Sequence, residues 1–545
     1  MIFLSTILLS MFITLGLIPL TRGLAVRLNI MDIPDARKVH SVPTPKNGGI
    51  AVTLGALIPI LLWAPIDEFA KALLIGSGIV VLFGILDDMK DLDYKWKFAG
   101  QIVAALIVIL YGGIKIKSLG VLLPDEMLLP DWVAIPLTLV IIVGVTNAIN
   151  LADGLDGLAG GICLVSFICI AYLAFRSDNI LITLFAVAVA GGLFGFLRFN
   201  TYPAILFMGD GGSQFLGFLA ITLSLGLTQG NTPLSPVLPL FLVGFPILDT
   251  MAVMAERIAK GRSPFLPDRN HFHYKLIRLG LYHTEAVLAI YILQVFLVTS
   301  AFILRFYTEW LLLMIYVIFS GVILCGFFAA DKTGWKLKRL DLLDQVIRGK
   351  LSILKEKNIL IKVSFRFINI GIPFLLLFSC FLPTSIPRYL SFFSMGLVGL
   401  ILITWFVKRE WAISGLRLTL YLLIPFAIYQ SEVNMPSWMA ERPFDVYNLS
   451  FGLLVLFVIL TLKFSRRAGF KSTPMDFLIL FIALAVPNLP DEQIQSYKMG
   501  MLAAKIIVLF FSYDILIGEL RGELNSIRLA TIGSLALISI KGLLI

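Results

Sequence analysis

The chain has 545 residues, 59% of them apolar and 14% charged, and 44 Lys and Arg outweigh 34 Asp and Glu to give a formal net charge of +10. Soluble domains carry about 25% charged residues, so this composition and a mean hydropathy of +0.94 exclude an ordinary soluble enzyme. No basic stretch is interleaved with aromatics as a nucleic-acid module would need, so no nucleic-acid partner is expected and the positive balance points to anionic membrane lipid.

Apolar runs of about 20 residues, enough to cross a bilayer as helices, recur along the length. They predict an all-α polytopic membrane protein with about 11 transmembrane helices in residues 1–330 and about 7 toward the C-terminus. The first run, Ile2 to Leu20, lacks a basic leader and a small-residue cleavage site before Arg22 and is read as an uncleaved span. With the N-terminus outside, the loops 21–47, 87–97, 257–283, 331–362 and 463–475 share one side. They carry most of the Lys and Arg, which makes that side cytoplasmic. Cys163, Cys169, Cys325 and Cys380 lie in apolar spans without metal or disulfide spacing and read as packing residues.

In chain order, the first polar segment is ARKVHSVPTPKNGGI, in which Arg37, Lys38, His40 and Lys46 precede a Pro- and Gly-rich turn. It suits either anchoring at an anionic surface or phosphate binding. The next, LDDMKDLDYKWK, sets Asp87 beside Asp88 where an apolar run stops, with Lys95 and Lys97 close behind. Paired acids can hold a metal, or one can act as base while the other orients it; a solvated charged loop is the plainer alternative. NAINLADGLDGLAGG follows, with Asn147, Asn150 and Asp153 spaced three apart on one face of a helix end. Polar groups are costly in hydrocarbon, which favours an oxygen-rich site for a hard cation and its phosphates over a simple capping turn. In LFMGDGGS, Asp210 sits among glycines at a helix start, where backbone amides suit phosphate and the acid suits Mg²⁺. The Gly-Lys-Ser ending of a Walker A loop is missing. Last comes GRSPFLPDRNHFHYKL, where Arg262, Arg269, His271 and His273 read as anion contacts. Carboxylates, amides, cations and glycines on one face together describe Mg²⁺-assisted phosphoryl transfer to a lipid acceptor.

The stretches ARKVH, LDDMKDLDYKWK, NAINLADGLDGL, LFMGDGGS, FPILDT and SPFLPDRNHFHYKL occur in the order found in the polyprenyl-phosphate N-acetylhexosamine-1-phosphate transferases. The resemblance covers about residues 1–330. Its PDRNHFH segment resembles the branch that primes O-antigen, teichoic-acid or related glycans from UDP-GlcNAc. The muramoyl-pentapeptide branch has a further histidine where this chain has Tyr274. The resemblance implies transfer of GlcNAc 1-phosphate from a UDP-N-acetylhexosamine to undecaprenyl phosphate with release of UMP. The alternatives are another UDP-amino-sugar or UDP-MurNAc-pentapeptide as donor. It implies Mg²⁺, with Mn²⁺ as a substitute, a bacterial or archaeal plasma membrane with a cytoplasmic active site, and room for a homodimer. By position, Asp210 and Asn150 would hold the metal, while Asp87, Asp88 and Lys97 would face the phosphates as catalytic residues. Asp156, Phe207, Asp153 and Asn147 would bind nucleotide, Asp156 at the uracil and Phe207 stacked on it. Arg269, His271 and His273 would contact the sugar phosphate, and His40 and Lys46 would border the lipid-phosphate entry. Asp249 of FPILDT is shared too, with helix-end structure as its plainer role.

Beyond residue 330 the pattern changes. Leu340, Leu343, Ile347, Leu351 and Leu354 recur at helical spacing among Lys and Arg, which predicts an amphipathic linker over 331–360 lying on the cytoplasmic leaflet. Residues 361–545 form a C-terminal membrane domain of unassigned role. Its concentrated polar patch, Gln430 to Asn448, reads as a connector. A secondary transporter would place polar groups at the midplane of broken, repeated helices; here they sit at span ends, which counts against it.

Overall fold

The computed structural model describes residues 2–33, 43–90, 92–124, 127–230, 232–264, 270–336, 359–407, 409–439, 442–464, 499–519 and 525–544. His40, Arg269 and the linker from 337 to 358 lie outside the described residues. The chain divides into two compact helical units, the first ending at Lys338 and the second beginning at Arg339. Among the described residues ten helices are long and apolar enough to cross a membrane, so the protein is a multi-pass membrane protein.

The first unit contains α1 (Ile2–Arg27), α2 (Gly48–Trp63), α3 (Glu68–Lys90), α4 (Tyr94–Leu110), α5 (Asp131–Ala152), α6 (Leu158–Arg176) and α7 (Ile180–Asn200). It continues with α8 (Gly209–Thr228), the short α9 (Pro239–Leu242), α10 (Gly244–Ala259), the two-turn α11 (Phe272–Arg278), α12 (His283–Ile303) and α13 (Glu309–Thr333). Apart from α9 and α11 these make eleven longer helices, of which eight are long and apolar enough to cross a membrane, against the about 11 transmembrane helices expected from the apolar runs. The most buried are α6, α7 and α8, which α1, α2, α3, α5 and α12 surround. Their apolar character all round fits a position inside the bundle. A small antiparallel ladder pairs Met31 with Pro45 and Asp32 with Thr44. It pins the base of the first basic loop.

Where α9 breaks before α10, backbone groups would be left without partners inside the bundle. Gln294 of α12 fills that gap, accepting from the Phe245 amide at 3.2 Å and donating to the Leu242 carbonyl at 2.8 Å. A buried amide is retained there because an unsatisfied backbone group in hydrocarbon costs several kcal/mol, on the order of 4 or more.

The second unit contains α14 (Ile359–Phe381), α15 (Arg388–Val407), α16 (Arg409–Val433), α17 (Arg442–Phe464), α18 (Met499–Glu519) and α19 (Asn525–Leu544). Six helices are thus described against the seven expected, and residues 465–498 lie outside the description. Residues between α16 and α17 do form a connector, but Glu432 belongs to the last turn of α16. There it is buried and paired with the equally buried Lys505 of α18. The rings of Tyr447, Phe444 and Phe451 surround that ammonium at 4.3, 5.1 and 5.4 Å. Cys163, Cys169 and Cys380 are buried and Cys325 is exposed, all as free thiols.

Candidate active site

The polar segments of the first unit meet at helix ends. Asp87 and Asp88 occupy the last turn of α3, Lys97 the first turn of α4, Asn147 and Asn150 the end of α5, and Asp210 the start of α8. The approach of α3 to α8 is permitted by glycine: a Cβ on Gly84 would overlap the backbone of Gly211. Backbone contact at that crossing brings the end of one helix within reach of the amides opening the other. Asp88 accepts from the backbone N–H of Asp210 at 3.2 Å and of Gly211 at 3.3 Å. It therefore caps α8, as a carboxylate at a helix N-terminus should. Asp87 takes a different role. Its carboxylate lies 2.6 Å from the Lys97 ammonium, which also donates to Asp210. One cation thus bridges two carboxylates from two helices.

Amides complete the arrangement. The Nδ2 group of Asn150 donates to Asp210 at 3.0 Å and to the Ser213 hydroxyl at 2.8 Å. One helical turn below, Asn147 pairs with Gln101, which donates to Gln214 at 3.0 Å. Asn147 therefore sits in a supporting amide layer. Gln101 and Gln214 carried no motif and escaped the sequence reading, although amides buried in apolar spans are themselves a signal.

The segment before α8 runs along the first basic loop like a strand. The Phe207 amide donates to Pro45 at 2.8 Å, and those of Gly48 and Gly49 donate to Phe207 and Met208 at 2.9 and 2.8 Å. This zipper brings Lys46 to 3.8 Å from Asp88. It also fixes the backbone of Phe207.

The turn after α5 links this cluster to the histidine segment. Asp153 is half-buried. Its carboxyl is pushed up to about 7 by loss of solvent and by the negative charges of Asp210, Asp156 and Asp32. Asp156 accepts from the Ala204 amide at 2.9 Å and lies 4.0 Å from His283, whose ring stacks on Tyr202. Asn200 accepts from the Gly157 amide and donates to the Leu206 carbonyl, each at 3.0 Å, tying both loops to the end of α7. Asn200 and His283 were also missed, because each stands alone in sequence. His273 packs against Gly154, where the ring leaves no room for a side chain. Burial draws its imidazole down to about 4, against a smaller opposing influence from Asp249. It is neutral near pH 7 and can act there only through hydrogen bonding. His271 is held differently, its Nδ1 lying 2.9 Å from Asp249.

Among the described residues no three His, Cys, Asp or Glu side chains gather as a ready metal-ligand set. The donor chemistry nevertheless fits a hard cation. Asp87 and Asp210 already converge on a positive charge, and the amide of Asn150, which donates to Asp210, also carries a carbonyl oxygen of the neutral kind a hard cation takes. Oxygen donors of this kind suit Mg²⁺ better than softer metals.

The chain is similar to known proteins over this region. Residues 70–228, which span α3 to α8, match the family model described as glycosyl transferase family 4. The chain is 37% identical over 319 residues to a probable undecaprenyl-phosphate N-acetylglucosaminyl 1-phosphate transferase of Bacillus subtilis (strain 168), covering 58% of this chain and 89% of the relative. It is 31% identical over 347 residues to the undecaprenyl-phosphate alpha-N-acetylglucosaminyl 1-phosphate transferase of Yersinia pestis, with 62% and 93% covered. It is 33% identical over 308 residues to a decaprenyl-phosphate N-acetylglucosaminephosphotransferase of Mycolicibacterium smegmatis, with 50% and 74% covered. With the carboxylates, the amides and Lys97 of the matched region gathered at helix ends, the chain is a transferase and belongs to glycosyl transferase family 4, in the superfamily of polyprenyl-phosphate N-acetylhexosamine-1-phosphate transferases.

Proposed function

We propose that the protein moves N-acetylglucosamine 1-phosphate from UDP-N-acetylglucosamine to undecaprenyl phosphate at the cytoplasmic face of a bacterial plasma membrane, opening assembly of a lipid-linked envelope glycan. The names of its relatives support the substrates. Within this chain, the observation that carries the reading is the sharing of Lys97 by Asp87 and Asp210. An oxygen of the lipid phosphate attacks the β-phosphorus of the UDP-sugar, and the bond from that phosphorus to the bridging oxygen breaks. UMP leaves with that oxygen, and the lipid gains a diphosphate carrying the sugar. A lipid phosphate dianion needs no net proton transfer, so the demand on the protein is to bring two anions together and stabilise charge on the leaving group.

Lys97 and Lys46 supply positive charge at the two carboxylate groups. Asp210 and Asn150 would hold Mg²⁺, which when bound neutralises the diphosphate and polarises its oxygens. Asp87 sets the position of Lys97, and Asp88 holds the start of α8 and with it Asp210. Asp153, Asp156, Asn147 and Phe207 form or support the nucleotide side. Arg269, His271 and His273 serve the sugar phosphate, and His40 with Lys46 borders the lipid phosphate. The test is UMP release by detergent-purified protein given undecaprenyl phosphate and, in turn, UDP-GlcNAc, UDP-GalNAc and UDP-MurNAc-pentapeptide, with and without Mg²⁺. UDP-GlcNAc with Mg²⁺ is expected to be the productive pair, and tunicamycin, a uridine mimic, to inhibit it. Release from another donor alone would overturn the sugar assignment.

A further inference from the structure

Two carboxylates on α10, Asp249 and Glu256, are seven residues apart and therefore share a helix face. Both engage α11. Glu256 accepts from Lys275 at 3.1 Å. Asp249 is almost fully buried and uses both of its oxygens: Oδ1 accepts from the Phe272 amide at 2.7 Å and Oδ2 lies 2.9 Å from Nδ1 of His271. The first contact caps α11, and a structural residue would need no more. The second contact is to the ring of a side chain that the functional reading places on substrate.

We propose that Asp249 is a positioning residue that acts through His271. The inference rests on the transferase reading above. A carboxylate at Nδ1 fixes the imidazole tautomer with a proton on that nitrogen and turns Nε2 outward as the working atom. When Nε2 carries a second proton, His271 donates from it to a phosphate oxygen of the UDP-sugar, most strongly as negative charge grows during transfer. His273 cannot substitute, since its imidazole is buried against Gly154 and stays neutral. The parallel rings of the two histidines, 5.8 Å apart, therefore do different work.

The experiment measures kcat and KM for UMP release in Asp249→Asn, Asp249→Glu, His271→Gln, the double variant Asp249→Asn with His271→Gln, and Glu256→Gln, each as full-length monodisperse protein. Asp249→Asn keeps the volume and one acceptor for the Phe272 amide, so α11 retains its cap. Its kcat is expected to fall about 10- to 100-fold with KM for UDP-sugar within about twofold, as for lost outer partners of working histidines. The double variant should be no slower than His271→Gln alone, and Asp249→Glu, which restores the charge, should recover part of the loss. Glu256→Gln, which loosens the same helix without touching the imidazole, should leave kcat near normal. Additive losses, or an equal loss in Glu256→Gln, would show a scaffold role and overturn the inference. If Asp249→Asn cannot be purified, Asp249→Glu against His271→Gln decides it by the same additivity. Absence of UMP release from wild-type protein with every donor would instead defeat the transferase reading, and this inference with it.

Discussion

At the residue scale the site is a charge balance around Lys97. Its ammonium lies between Asp87 and Asp210, and Asp210 is further held by Asn150. Replacing Asp210 by Asn removes a carboxylate from the pair suited to Mg²⁺ and leaves Lys97 to Asp87 alone. Turnover is expected to fall by at least about 100-fold, as when a preorganised charge-stabilising group is lost, and the Mg²⁺ concentration for half-maximal UMP release should rise. An Asp210→Asn protein with normal turnover and unchanged Mg²⁺ dependence would end the metal assignment. A second prediction concerns Asp153, whose folded carboxyl is raised from 3.8 to about 7. The folded chain then holds this proton more tightly than the unfolded one. The resulting stability is present below about pH 4 and is lost as pH rises toward 7. Between pH 5 and pH 8 the melting temperature of wild-type protein should drop more than that of Asp153→Asn; parallel curves would remove Asp153 as the cause. The acids themselves were legible in sequence because charges at the ends of apolar runs are costly and stand out. Their division of labour was not. Adjacent Asp87 and Asp88 look equivalent in a string, yet their carboxylates diverge from the same helical turn, one to a lysine and the other to the amides of α8.

At the element scale, helix crossings decide what meets. The contact of α3 with α8 depends on Gly84 lying against the backbone of Gly211. Gly84→Val should push these helices apart and weaken the Asp88 cap on α8. The expected cost is at least the ~1–3 kcal/mol of overpacking, with loss of UMP release, read by thermal unfolding and activity together. Retained melting temperature and activity would mean the crossing tolerates a side chain. In the second unit, α16 and α18 are joined through Glu432 and Lys505, both buried, with one Glu432 oxygen lacking a hydrogen-bond partner. A lone buried charge is far worse than a pair. Lys505→Met alone should therefore destabilise by about 3–5 kcal/mol, while Lys505→Met with Glu432→Leu should recover most of it. If the double variant is as unstable as the single, the pair has a role beyond mutual neutralisation. The lengths and apolar faces of these helices could be read from sequence, since spanning a membrane allows little else. The pairing of Glu432 with Lys505 could not, because residues 73 positions apart carry no local sign of each other.

At the scale of the whole molecule, the described residues of the proposed catalytic set all lie in the first unit, before Lys338. The alignments with the relatives leave about two fifths of the chain unmatched. A protein truncated after Gly334 is therefore expected to bind UDP-GlcNAc and to keep measurable phosphotransferase activity when purified in monodisperse form. A folded truncation that binds nucleotide but transfers nothing would show that the second unit takes part in the reaction. The sequence by itself determined the membrane setting, the helical class, the order of the motifs and the family they mark. Hydropathy, helix length and the cost of polar groups in hydrocarbon are local properties, visible wherever they occur. Only the tertiary structure decided that Asp88 caps α8, that Asn147 supports rather than faces the cluster, and that Asp249 reaches His271. It also drew in Gln101, Asn200 and His283. Each of those outcomes depends on which helix ends come within hydrogen-bonding distance, and that is set by packing between segments far apart in the chain.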